Sequence, residues 1–458
     1  MNDETTRAEA LERDAPEETT GPVITDGWVS RTWWGLVKWF AGAALMQWPA
    51  GAVVVAGWLQ RFLRRAVYRQ WWLRCRGRVG RYDEFVAEEP LLGEFRHAPN
   101  WVLAQEFRTR WAAGPREGRG RRRWRLLRES LTANVASGLQ VLANVWALTL
   151  PGCVLWAAGW WGGWQNSFHK GYEHFGVGPA VSVLGIVVFV AALLYVPMAT
   201  ARQAATGNWR AFWHGRTIWT LLKSSWLPGA CVAVLFAASN VLVMGLKSWP
   251  QFLPQARMAA LARRGMDPTE AHRAGLESVD WSALTDLQAT SLLNRHFLAS
   301  AGVVFLVLIV LKRAVAWLYA GAVLRAVRRG ALGEEALGDT EWRVLHSLGA
   351  LEVRDRPMRG VLIRLVAWAG TKMGRVVCGF VTIAAGFVFV AAIYVSEFLS
   401  YHPMVGWLNQ PLIQLPWFRY VPATLENPAG QLLAGSALVL GAVCVAAHRA
   451  RRRSGARS

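Results

Sequence analysis

FAGAALMQWPAGAVVVAGWLQRFLRRAVYR, residues 40–69, begins without a single charge and ends with an arginine every few positions. The change comes at Arg61. From there to Arg128 the chain holds 18 Arg and no Lys, immediately after the apolar run Phe40–Leu59. Apolar runs of this kind recur along the chain and match the roughly 30 Å hydrocarbon layer at about 1.5 Å per helical residue. Hydrophobic residues make up 53% of the chain, yet the formal net charge is +21. The two properties are segregated along the sequence, which separates a membrane bundle from a soluble protein with one large core.

Seven such segments are expected: Trp39–Leu59, Gln140–Trp161, Pro179–Ala199, Trp226–Leu246, Phe297–Ala320, Val377–Glu397 and Leu432–Ala447. The connections 61–128, 202–223, 312–375 and 449–458 carry net charges of +11, +4, +6 and +5. Those at 165–178, 247–296 and 399–430 carry 0, +1 and 0. Basic connections stay in the cytoplasm, so the alternation gives an all-α, polytopic transmembrane bundle with its C-terminus inside. Tryptophans mark the boundaries, with Trp33, Trp34 and Trp39 before the first segment, Trp71 and Trp72 after it, and Trp209, Trp213, Trp219 and Trp226 before the fourth. Indoles collect at headgroup level because the ring is apolar while the N–H needs a partner.

The first segment leaves two threadings open. Pro49 and Gly51 sit at its middle, and proline removes a helical hydrogen bond. One continuous crossing gives seven spans, whereas a re-entrant hairpin gives six and puts both termini inside. The fifth segment extends without a break signal from Phe297 to Arg329, with Lys312 and Arg313 near its centre. Charge at bilayer depth costs at least about 2.5 kcal/mol per residue, which makes both residues candidate intramembrane charges. The cheaper reading ends the apolar core near Leu311, lets the two side chains snorkel, and continues as an interfacial helix.

The basic excess is divided among four connections rather than gathered in one module, which argues against nucleic acid. Anionic lipid headgroups are the nearer partner, at about 1 kcal/mol per Lys or Arg close to the surface. The candidate headgroup contacts are Arg61, Arg64 and Arg65, then Arg121, Arg122 and Arg123, then Arg325, Arg328 and Arg329. The five cysteines form no CxxC pair, and neither a disulfide framework nor a zinc site is expected. The hydrophilic stretch MNDETTRAEALERDAPEETT reads as an acidic tail rather than a signal peptide.

No GxSxG, HExxH or phosphate-loop motif occurs, so no catalytic, cofactor or metal residue is named. His169, Glu173, His174, Glu397 and His402 fall on the outer side, but HKGYEH spaces its histidines five apart, which does not align them on one helix face. The polar residues inside segments, Asn144, Ser182, Ser239 and Asn240, suit hydrogen bonds between helices. DPTE at 267–270 has a capping-box pattern and predicts a short helix from Pro268 to about Leu276. The aromatics of the 61–128 connection suffice to pack on a membrane surface but not to build a core, and GPREGRGRRRWRLLRES reads as a flexible basic clamp. AGWLQRFLRRAV (56–67) and AGAVLRAVRRGA (320–331) share five of twelve positions, a faint internal repeat of the kind found in transporters.

Two stretches resemble a domain-of-unknown-function family of multi-pass bacterial and archaeal membrane proteins. One is VVAGWLQRFLRRAV (54–67) with Pro99–Asn100–Trp101 after it; the other is YVPMATARQAATGNWRAFWHGRTIW (195–219). Together they cover about residues 35–245, while the arginine-rich connection and the C-terminal segments depart from the family pattern. The resemblance implies architecture and no activity. The expected organisation is a tail (1–32), a first span or hairpin (33–60), a basic connection (61–131), a three-span unit (132–246), an outer connection (247–296), a second three-span unit (297–448) and a basic tail (449–458). The expected role is membrane organisation or anchoring without catalysis and without a cofactor. A transporter or channel component is the alternative, and a lipid enzyme comes third.

Overall fold

The computed structural model describes residues 28–75, 85, 119–159, 177–263, 287–352 and 361–400. Among these every regular element is helical: α1 (Trp28–Leu45), α2 (Pro49–Cys75), α3 (Arg119–Gly159), α4 (Val177–Thr206), α5 (Gly215–Ser224), α6 (Trp226–Arg263), α7 (Leu287–Arg328), α8 (Asp339–Ser347) and α9 (Val361–Ser400). Short 3-10 turns at Trp209–Trp213 and Glu334–Ala336 join them. Among the described residues, five stretches are long and apolar enough to cross a membrane: Arg123–Leu155, Ala180–Thr206, Trp226–Leu246, Arg295–Arg328 and Ala369–Ala392. The last expected segment, Leu432–Ala447, and the short helix at Pro268 lie outside the described residues.

Specific contacts fix the direction of each helix. Trp58 stacks on Phe305 with centroids 5.0 Å apart, and Trp71 Nε1 donates to the Ala320 carbonyl at 3.3 Å, so α2 and α7 run parallel. Gln60 donates to the Thr200 carbonyl and Tyr68 to that of Ala205, so α4 runs the same way. In the opposite sense, a Cβ on Gly57 would meet the Asn134 carbonyl and one on Gly138 the Val53 carbonyl. These glycines let α2 and α3 approach backbone to backbone, the small-residue packing that membrane interiors favour. Gly152 and Gly159 do the same for α3 against Phe189 and Ser182 of α4. Trp226 meets Gly374, and Asn240 donates to the Phe389 carbonyl at 2.7 Å, so α6 and α9 are parallel. Helices α2, α4 and α7 therefore end where α3, α6 and α9 begin. The flanks carry exposed apolar side chains such as Leu184, Val187, Val241, Leu306, Val376 and Phe380.

Of the two readings left open for Trp39–Leu59, a single continuous helix is not found: the ladder breaks at Met46–Trp48, and α2 restarts with Pro49 at its first position, where a missing N–H costs nothing. Two expectations need correcting. The stretch from 119 to 128, including Arg121, Arg122 and Arg123, is not a flexible clamp but the first turns of α3. Trp71 is not an interfacial indole, because it is fully buried.

The largest core cluster also departs from expectation. Leu63, Tyr68, Trp71, Met198, Phe212, Ile218, Tyr319, Val344 and Leu345 all belong to it. It is built from the extended ends of α2, α4 and α7, closed over by α5 and α8. The stretch after Lys312 is thus a packed helix rather than a surface-lying one: Val315, Ala316, Tyr319, Ala320, Val323 and Ala326 are buried. Its alanines and glycine leave room for neighbours on several sides, a reason invisible to a count of arginines.

Candidate functional site: the polar end of the bundle

The sequence around Arg202 organises this end. Gly207 takes φ +67 and terminates α4, as only glycine does without strain. Asn208 then accepts from the Arg210 N–H and starts the 3-10 turn. Tyr195 donates to the Phe212 carbonyl at 2.6 Å. Asn144 of α3 donates to Gln203 Oε1 at 3.1 Å and to the Trp209 carbonyl at 3.0 Å, and accepts from Trp213 Nε1 at 3.1 Å. One side chain thereby ties α3, α4 and the turn together, as its polar character in an apolar run suggested.

Below this lies a buried charge pair. Arg202 is 2% exposed and Glu341 0%. Their closest atoms, Arg202 Nη1 and Glu341 Oε2, are 3.6 Å apart, and Arg202 Nη2 donates to the Ala336 carbonyl at 2.6 Å. Glu341 also accepts from the Tyr319 hydroxyl and from the Gly338 N–H at 3.0 Å. It sits at the third position of α8, so it caps that helix while neutralising Arg202. Beside the pair is a cavity of about 300 Å³ lined by Arg202, Thr206, Asn208, His214, Thr217 and Asp339 among others.

A second group of arginines has no carboxylate partner among the described residues. Arg74 Nη2 donates to the Trp317 carbonyl at 3.0 Å, and its guanidinium lies where a Cβ on Gly321 would be. Arg325 Nε donates to the Ser224 carbonyl at 3.1 Å. Buried surroundings, with Arg325 and Arg328 close by, hold the Arg74 pKa below its ordinary value. Arg325 Nη2 and Arg328 Nε are buried without a hydrogen-bond partner.

The other candidates are spread out. Arg61 donates to Asn134 Oδ1 at 3.1 Å and Arg64 to the Tyr68 hydroxyl at 3.0 Å, which directs both into helix packing. Arg65 and Arg123 are half-buried and Arg121 and Arg329 exposed, while Arg122 lies in the first turns of α3. Lys312 is half-buried; Arg313 is exposed and stands over the Phe62 ring at 5.9 Å. The register of α2 on α7 puts Arg61 level with residues just before Lys312, not with Arg325. The two halves of the sequence echo therefore occupy different depths. His169, Glu173, His174 and His402 fall outside the described residues.

Arg202, Glu341 and Arg74 were missed as site residues because they were counted only as loop charge. Gly338–Asp339–Thr340–Glu341 carries the same first-turn pattern as residues 267–270 and could have exposed Glu341. Comparisons with protein-family models, with curated proteins and with solved structures found no match to this chain.

Proposed function

We propose that this chain is a multi-pass integral membrane protein that organises or anchors at an anionic membrane face, without catalysis. The observation carrying the reading is that Arg74 of α2 meets Arg325 and Arg328 of α7 at one end of a bundle with apolar flanks. Under the positive-inside rule that end faces the cytoplasm, and so does the C-terminus. In this reading the stretch 39–59, which breaks at 46–48, is the first crossing and residues 432–447 the last, giving seven; the same stretch as a hairpin gives six. Anionic lipids are the partners, and nucleic acid is not. The family resemblance adds architecture to the proposal and no activity.

Labelling of single cysteines introduced at either terminus, in sealed right-side-out vesicles, tests the threading. Protection of the C-terminal cysteine is expected, and its labelling from outside would sink the orientation. Proteoliposome assays test the role: solute uptake or lipid turnover dependent on the protein would replace anchoring. A transporter component is the second reading, favoured by the polar cavity beside Arg202.

A further inference from the structure

The geometry points to a phosphate-binding site formed by Arg74, Arg325 and Arg328, where α2, α5 and α7 end together. We infer that it takes the phosphate of an anionic lipid headgroup. The inference rests on the anchoring reading and names the place where that reading would act.

Two of the guanidiniums are partly accounted for by the helices themselves. Arg74, in the last turn of α2, donates to the Trp317 carbonyl inside α7, and Arg325 to the Ser224 carbonyl at the end of α5; cations at helix C-termini are favourable without any ligand. That explains one donor on each. It leaves Arg325 Nη2 and Arg328 Nε, both buried and without acceptors among the described residues. A buried charged donor without an acceptor is costly. Three like charges brought together add repulsion that no carboxylate in the described residues offsets. Arg202, at the same end, has the Glu341 carboxylate 3.6 Å away, a counterion that the described residues do not provide for these three. Phosphate is the complementary group, since several guanidinium N–H donors can share its oxygens.

Position favours a lipid. Ser224, which holds Arg325, is two residues from Trp226, where α6 begins its apolar run. Leu227, Trp219 and Trp317 are exposed around it, and Lys223 stands 5.5 Å over the Trp219 ring. An exposed leucine beside exposed indoles and a lysine is the composition of a headgroup layer.

The test uses the full chain in nanodiscs of phosphatidylcholine, with and without phosphatidylglycerol, reading thermal stability and bound lipid by native mass spectrometry. A second arm titrates inorganic phosphate onto protein in phosphatidylcholine alone. Phosphatidylglycerol is expected to raise the melting temperature and co-purify. Arg328→Gln, which breaks no internal hydrogen bond, should weaken that effect roughly tenfold, the loss of one charge-assisted contact. Arg125→Gln, on the exposed face of α3, should leave it intact. Stabilisation by inorganic phosphate but not by the lipid would overturn the lipid assignment and leave a soluble phosphate ligand. Undiminished lipid preference in Arg328→Gln would overturn the site while sparing the anchoring role. No preference in the unmodified protein would overturn both.

Discussion

Two arginine sites lie at one end of this bundle and are built on opposite terms. Arg202 is enclosed, with Glu341 and the Ala336 carbonyl around it. Arg74, Arg325 and Arg328 stand together, and among the described residues the first two meet backbone carbonyls and none of the three a carboxylate. A buried arginine with a carboxylate from its own chain is part of the fold, because removing either partner strands the other. A cluster of arginines without one is where the inferred anion would complete the charge balance. Sequence counts treat all four as the same positive charge.

The sharpest way to break that comparison is Glu341→Ala. It leaves Arg202 uncompensated, frees the Tyr319 hydroxyl and removes the first-turn acceptor of α8. A loss of about 3–5 kcal/mol is expected, read as a large drop in melting temperature in neutral detergent. A drop no greater than that of a surface substitution would mean the pair is not structural. Tyr319→Phe is milder. It removes one donor to a buried carboxylate, about 1.5–3 kcal/mol for a hydrogen bond to a charged group. Measured together with Glu341→Ala, it should show strong non-additivity, since both changes act on one network.

The contrast between these sites also marks how far the sequence could be read. Five of the seven expected segments overlap the candidate spans, and Trp226–Leu246 coincides with one, because hydropathy alone sets them; Trp39–Leu59 does not. Packing beyond the segments was not legible. The continuation of α7 to Arg328 was expected as helix; that it is packed rather than surface-lying, and that α2 continues to Cys75, depends on contacts between Tyr68, Trp71 and Tyr319, residues far apart in the chain. Charge arithmetic placed Glu341 and Arg202 in separate basic loops, and only their meeting in space turns them into a pair. Asn144 was the exception, because one amide in an apolar run announces an interhelical bond wherever its partner lies.

Gly321→Ala probes the unpaired site without touching its charge. Glycine inside a helix normally costs roughly 0.5–1 kcal/mol relative to alanine, so its presence in α7 asks for a reason. The reason is Arg74, whose guanidinium occupies the space a Cβ would take. The helix gain and the lost Arg74 contact to Trp317 should nearly cancel, leaving stability within about 1 kcal/mol of the parent. Binding of phosphatidylglycerol should nevertheless weaken, since the displaced side chain is one of the three guanidiniums. Unchanged binding would detach Arg74 from the site.

The smallest effect is expected at the Arg125–Glu129 pair, 3.8 Å apart on α3 with side chains 71% and 44% exposed. It has the same chemistry as Arg202–Glu341, arginine against glutamate, and the same kind of distance. Water and salt screen it, and both side chains lose freedom to meet. Glu129→Gln should therefore change stability by less than about 0.5 kcal/mol in a denaturation experiment. If Glu129→Gln and Glu341→Ala cost similar amounts, burial is not what separates the sites, and the distinction between paired and unpaired arginines loses its physical basis.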